Sequence, residues 1–161
     1  MGSSSPVDSP SIHIDVDDRQ QAHPVATNKL AALLDATIAA QHQAMGIPPG
    51  DIEVGLAFID TTEMTTLNVE HMNGTGPTDV LAFPIDGMAT NAVPSDQPRL
   101  LGDIVVCPEV AALAPQALAD ELALLVVHGA LHLLGHDHAE PDETAVMKAL
   151  EVDILDRFYA Q

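Results

Sequence analysis

The segment that most restricts the fold runs from Leu118 to Leu134, a strongly apolar stretch that carries His128 and His132 four residues apart and stops at Gly135. Its length and spacing predict a helix, ended by a glycine that can take the left-handed conformation. Residues four apart share one helix face, so both imidazoles can point at one metal ion without distorting the backbone. The turn at Gly135 lets His138, six residues beyond His132, supply a third nitrogen. Four of the eight histidines fall between His128 and His138, a density that marks a metal site at the end of the penultimate helix. Three neutral nitrogens suit zinc or another late divalent metal and leave one coordination position for water. One zinc ion per chain is the expected cofactor. It would lower the pKa of water to about 7 and offset negative charge on an oxygen under attack, which suits ester or phosphodiester hydrolysis. A helix with surface histidines, or a metal held only for stability, is the competing structural reading.

The histidine spacing matches the metzincin peptidases, H-E-x-x-H-x-x-G-x-x-H, in all positions but one. Gly129 stands where those enzymes carry the glutamate that handles the proton of the attacking water, which argues against ordinary proteolysis. His136 is expected to point away from the site. The catalytic residue is not defined by sequence beyond two weak candidates. Asp137 could orient a ligand imidazole or simply favour the turn. Glu121, seven residues before His128 and on the same helix face, could line the approach to the metal or serve as a solvated helix-start carboxylate.

The rest of the chain reads as alternating elements. Ile12 to Val16 alternates like a half-buried strand, Val25 to Met45 has helical spacing, and Ile52 to Ile59 reads as a second strand. Asp60 to Glu63 looks like the N-cap of a short helix through Leu67 and Asn68. Thr78 to Phe83 and Leu101 to Cys107 are the third and fourth strands, each ended by proline, with residues 85 to 99 between them expected to form a mobile, protease-sensitive loop. A helical turn at Glu109 to Leu113 and a last helix from Pro141 to Tyr159 complete the pattern. The fold class expected is α+β, a small mixed four-stranded sheet packed by helices. Residues 1 to 10 are expected to be a disordered N-terminus and residues 11 to 161 a single metallohydrolase domain. Three Phe, one Tyr and no Trp make the core aliphatic and leave few platforms for stacking bases. Cys107 is expected in the core. A lone cysteine excludes an internal disulfide, and no run reaches the roughly 20 apolar residues of a membrane span, so a cytoplasmic protein without membrane contact is expected. The net charge of −19, from 24 acidic and five basic residues, argues against nonspecific nucleic-acid binding.

From His128 to His138 the chain resembles the H-G-x-L-H-L-x-G-Y-D-H signature of the YbeY family of rRNA-maturation endoribonucleases, with His136 in the tyrosine position. Leu67-Asn68, Pro77 to Pro84, Leu101 to Glu109 and Glu121-Leu122 agree in order, so the resemblance covers about residues 50 to 158. It implies an α+β fold, zinc on His128, His132 and His138, and cleavage of single-stranded RNA in 16S rRNA 3′-end maturation and ribosome quality control. The partners it implies are a ribosomal RNA precursor and the small ribosomal subunit, with no DNA. Met72 stands where many members carry an arginine thought to hold the RNA phosphate, and Ala82 replaces the usual serine. His71, in the preceding aromatic position, is the weak substrate-binding candidate, against an exposed loop histidine with no role. Two other readings stay open, a metal-dependent hydrolase of a peptide or small ester, and a ribosome-assembly factor with vestigial activity.

Overall fold

A computed structural model describes residues 11–45, 50–86, 97–136 and 139–159. The alternating segments become β1 (Ser11–Asp18) and β2 (Asp51–Phe58), and the periodic run between them becomes α1 (Thr27–Met45). β1 and β2 pair in parallel, which requires a crossover, and α1 supplies it. α2 (Thr61–Met72) starts where Asp60 Oδ1 accepts a hydrogen bond from the backbone N–H of Glu63 at 2.8 Å. Its carbonyl end is closed by Asn73 in the left-handed conformation, φ 57°. β3 (Val80–Pro84) and β4 (Arg99–Val106) follow, then the short α3 (Pro108–Ala111), α4 (Leu118–Leu133) and α5 (Pro141–Phe158). The sheet order is β1-β2-β4-β3, with β4 parallel to β2 and β3 antiparallel to β4. This is the mixed four-stranded sheet of an α+β domain. The expected disordered start, residues 1–10, lies outside the described residues.

The hairpin between β3 and β4 departs from expectation in two ways. β3 includes Pro84 instead of stopping before it, and a proline is tolerated there because β3 is an edge strand that needs no further N–H donor. The hairpin stem also continues into the segment expected to be a mobile loop. Ile85 N–H donates to Leu101 O at 3.2 Å, Asp86 N–H to Leu100 O at 2.8 Å, and Asp86 Oδ2 accepts from Leu100 N–H at 2.8 Å. β4 accordingly begins at Arg99, which pairs with Ile52. Residues 87–96, the middle of that loop, lie outside the described residues.

Period-2 alternation splits the sheet into two faces. Ile52, Val54, Leu56 and Phe58 of β2 and Ile104 and Val106 of β4 face α1 and α4 in the main core, joined by Met147 and Ile154 of α5. Leu81, Val105 and Cys107 pack with Ile59 and Met64 under α2 on the other face. Cys107 is fully buried, as expected. α4 is the central helix, in contact with α1, α3, α5, β3 and β4, and its run of apolar residues is what a helix surrounded on most sides requires.

Candidate metal centre

α4 enters its C-terminal half pressed against β4. A Cβ added at Gly129 would sit 2.7 Å from Ile104 Cγ2, so position 129 faces the sheet and has no room for a side chain. The residue that stands where metzincins carry their catalytic glutamate therefore points into the core, and a carboxylate there could not handle a proton at a metal. One residue away, His128 emerges from the packed face, partly exposed, with His132 a turn further on. The two rings lie 4.7 Å apart between centroids at 77° to each other. The helix ends at Leu134, and Gly135 takes φ 100°, the left-handed turn expected of it. His136 then reaches α1, its Nε2 3.2 Å from Gln41 Oε1, and burial lowers its pKa below the usual histidine value. Asp137 and His138 lie outside the described residues.

His128 Nδ1 lies 2.6 Å from Glu151 Oε2 on α5, with the histidine side chain 27% and the glutamate side chain 10% exposed. An Nδ1–H donated to this carboxylate leaves Nε2 as the ring's lone-pair nitrogen. Among the described residues no three His, Cys, Asp or Glu side chains gather as a metal cluster. The two described histidines nevertheless fit a late divalent cation. They share a helix face, their rings adjoin, and one is already fixed by a carboxylate through its far nitrogen, the arrangement metal-ligating histidines ordinarily show.

A cavity of about 290 Å³ opens beside His128, between α4, α5 and the start of β3. Glu121, Asp79, Thr144, Lys148 and Glu151 line it with His128. Glu121, the weak catalytic candidate, thus shares a cavity with His128, and its Oε1 accepts from Gln116 Nε2 at 2.8 Å. Lys148 is the cavity's basic side chain and is exposed on α5. The other four basic residues are placed elsewhere. Arg19 pairs with Asp17 and Glu63, Lys29 lies over the Tyr159 ring, Arg157 pairs with Asp153, and Arg99 is buried.

His71, the weak substrate-binding candidate, is not brought to this cavity. It packs edge-on against Phe83, ring centroids 5.5 Å apart, and lines a cavity of about 530 Å³ with Asp15, Asp17, Arg19 and Asp103 on the α2 side of the sheet. Met72 is exposed at the end of the same helix. Asn68 acts on the following loop, donating from Nδ2 to Gly76 O at 3.0 Å while its carbonyl accepts from Gly74 N–H at 3.1 Å. That loop delivers Asp79, whose carbonyl oxygen accepts from Cys107 N–H at 2.9 Å. Sequence reasoning missed Glu151 and Lys148. The available signal was a carboxylate on the apolar stripe of α5, between Met147 and Ile154.

The chain is an α+β domain with a mixed four-stranded sheet, whose central helix presents histidines four apart at its C-terminal end beside a carboxylate-lined cavity. The particular family follows from comparison. The sequence profile described as Endoribonuclease YbeY matches residues 15–159. Endoribonuclease YbeY of Salinispora tropica is 51% identical over 113 residues, 64% of this chain and 72% of that protein. Endoribonuclease YbeY of Mycobacterium sp. strain KMS is 44% identical over 125 residues, 73% of this chain and 70% of that protein. The solution structure of TM1509 from Thermotoga maritima superimposes with a TM-score of 0.54 over 89% of this chain and 90% of that one, at 23% identity, a likeness of fold. The chain belongs to the YbeY family.

Proposed function

We propose that the chain is a zinc-dependent, single-strand-specific endoribonuclease that acts in 16S rRNA 3′-end maturation and ribosome quality control in the cytoplasm. The observation that carries this reading is the pair His128 and His132 on one face of α4, with His128 anchored through Nδ1 to Glu151 beside an open cavity. Family membership supports the substrate class, since the relatives named above are endoribonucleases. His128, His132 and His138 would hold the metal. When bound there, the dication would supply Lewis acidity to a phosphoryl oxygen and to water.

The chain's own side chains supply the remainder. Glu121 is the proton acceptor in this reading, since it lines the cavity with His128 and its hydrogen bond from Gln116 leaves the second carboxylate oxygen for a water. Glu151 is committed to His128. Lys148 offers the fixed positive charge for a substrate phosphate, and it offsets the carboxylates around it. With so few cations facing one cavity, intrinsic affinity for RNA is weak. Productive binding then depends on the ribosomal particle, where a second contact raises the effective concentration. The packing of Gly129 on Ile104 disfavours the peptidase reading, because the proton carrier that peptidases place there has no space.

The deciding experiment compares zinc-loaded, chelator-treated and His132→Ala protein on a 16S 3′-end precursor, free and within the small subunit. Cleavage by the loaded protein alone supports the proposal. Binding to the particle without cleavage in any state would instead establish an assembly factor.

A further inference from the structure

We propose that Glu151 is a positioning residue for the metal centre: it holds His128 through Nδ1, which makes Nε2 the nitrogen that would meet a metal, and thereby couples the docking of α5 to metal occupancy. The inference rests on the metal reading above and adds a residue that the histidine signature does not contain. Glu151 stands 23 residues beyond His128, on a different helix.

Its placement is expensive without a purpose. α5 buries Met147, Glu151 and Ile154, positions spaced so that all three face inward, and the glutamate is 7% exposed. A buried carboxylate is destabilising unless a hydrogen-bond donor or opposite charge meets it. Methionine or leucine would fill the same volume in a neighbourhood that already holds Met147, Leu150 and Ile154. The partner Glu151 does find is His128 Nδ1, at 2.6 Å, at the short end for a charge-assisted hydrogen bond.

The geometry dictates the consequence. An imidazole can present either nitrogen to a cation, and the choice is set by what the other nitrogen bonds. Donation of Nδ1–H to Glu151 fixes the tautomer, prevents the ring from flipping, and makes Nε2 a stronger donor by drawing the proton toward the carboxylate. A dication held by His128 would make Nδ1–H more acidic in return, so the bond to Glu151 would strengthen with metal bound. Because Glu151 is carried by α5, metal binding and the seating of that helix on α4 stabilise each other.

The test uses the full chain with zinc alone, before any RNA is added. Glu151→Gln keeps the shape and an acceptor oxygen but removes the charge, and Glu151→Ala removes both. Zinc dissociation constants, read by competition with a chromophoric chelator, should rise about 10-fold for Glu151→Gln and nearer 100-fold for Glu151→Ala, the range found when such partners are removed. The zinc-induced rise in melting temperature should shrink in the same order. Nitrogen-15 spectra of the zinc-loaded protein should show His128 as the Nδ1–H tautomer in the wild type and a mixture in Glu151→Ala, a change that loss of packing alone would not produce. Should Glu151→Ala fail to fold, the isosteric Glu151→Gln carries the comparison. Wild-type zinc affinity and an unchanged His128 tautomer in both variants would overturn the inference while leaving the metal centre intact. Failure of the wild type to bind zinc would overturn the metal reading and this inference together.

Discussion

The two faces of the sheet are built from the same strands and treated in opposite ways. On one face β2 and β4 present only apolar side chains, Phe58 among aliphatic ones, to α1 and α4, and helix and sheet approach so closely that Gly129 must lack a side chain against Ile104. On the other, a single short helix, α2, covers a small cluster and leaves Asp15, Asp17, Glu53 and Asp103 along open cavities. The histidines arise from the crowded side. Rigid packing fixes the His128 and His132 pair within the tolerance that a metal would demand, whereas the open face gathers like charges that repel one another. The comparison also places His71 and Met72 on α2, away from the cavity that holds His128.

The largest expected effect tests the crowding directly. Gly129→Glu, which restores the peptidase spacing on paper, forces a side chain into Ile104 and buries a charge without a partner. It should cost about 3 kcal/mol or more, enough to unfold much of the protein, and should confer no peptidase activity. Glu53→Ala on the open face should change stability by about 0.5 kcal/mol or less. Chemical denaturation of the pair reads out the difference, and comparable midpoints would show that the two faces are not packed differently.

Next in size is the metal itself. His132→Ala should abolish tight zinc binding, while His71→Ala, across the sheet, should leave the zinc affinity unchanged by titration. Acidification through the range where histidine takes up a proton should release metal from the wild type, because the ligands must be neutral. A protein that loses zinc on His71→Ala would place α2 at the centre and break the contrast between faces.

A smaller effect separates the two cavities in RNA recognition. Lys148→Ala should raise KM for a single-stranded RNA severalfold, leave zinc affinity unchanged and lower the slope of log affinity against log salt by about 1, as loss of one phosphate contact does. Arg19→Ala, on the α2 side and already paired with two carboxylates, should alter neither. Steep salt dependence that survives Lys148→Ala would mean that phosphates are neutralised elsewhere.

How much of this was legible in the sequence differs between the faces for a physical reason. Periodicity is local, so the strands, the long helices and the turn at Gly135 could be read from spacing alone, with boundaries correct to within about two residues. The histidine pair was legible because both residues belong to one helix. Glu151 was not, because its bond to His128 joins residues 23 apart on different helices and depends on how α5 packs on α4. Gly129 could be read as a missing glutamate but not as a contact with Ile104, since that contact is tertiary. The hairpin stem at Ile85 and Asp86 was hidden in the same way. Their composition reads as loop, and only their register against Leu100 and Leu101 extends the pairing.

The smallest expected effects concern groups that burial shifts without giving them a task. Burial pushes the Cys107 thiol above its ordinary pKa, and the side chain has no exposed surface. Native protein should therefore resist alkylation at pH 8 and react on unfolding. Tyr159 provides the finer test, at the seam between α5 and the first turn of α4. Its pKa is raised, chiefly by burial and then by donation of its hydroxyl to Asp120 Oδ1 at 3.0 Å. A group that holds its proton more tightly when folded contributes stability that is complete below the unfolded pKa and is lost as pH rises through the folded one. The wild type should thus lose a small increment of stability above pH 10, the ordinary tyrosine value, that Tyr159→Phe does not lose. At neutral pH the substitution should cost about 0.5 kcal/mol, given an exposed hydrogen bond. Parallel stability curves for the two proteins from pH 9 to about pH 11 would show that the seam is open to solvent, and that the tight packing of the helical face ends short of the chain's last turn.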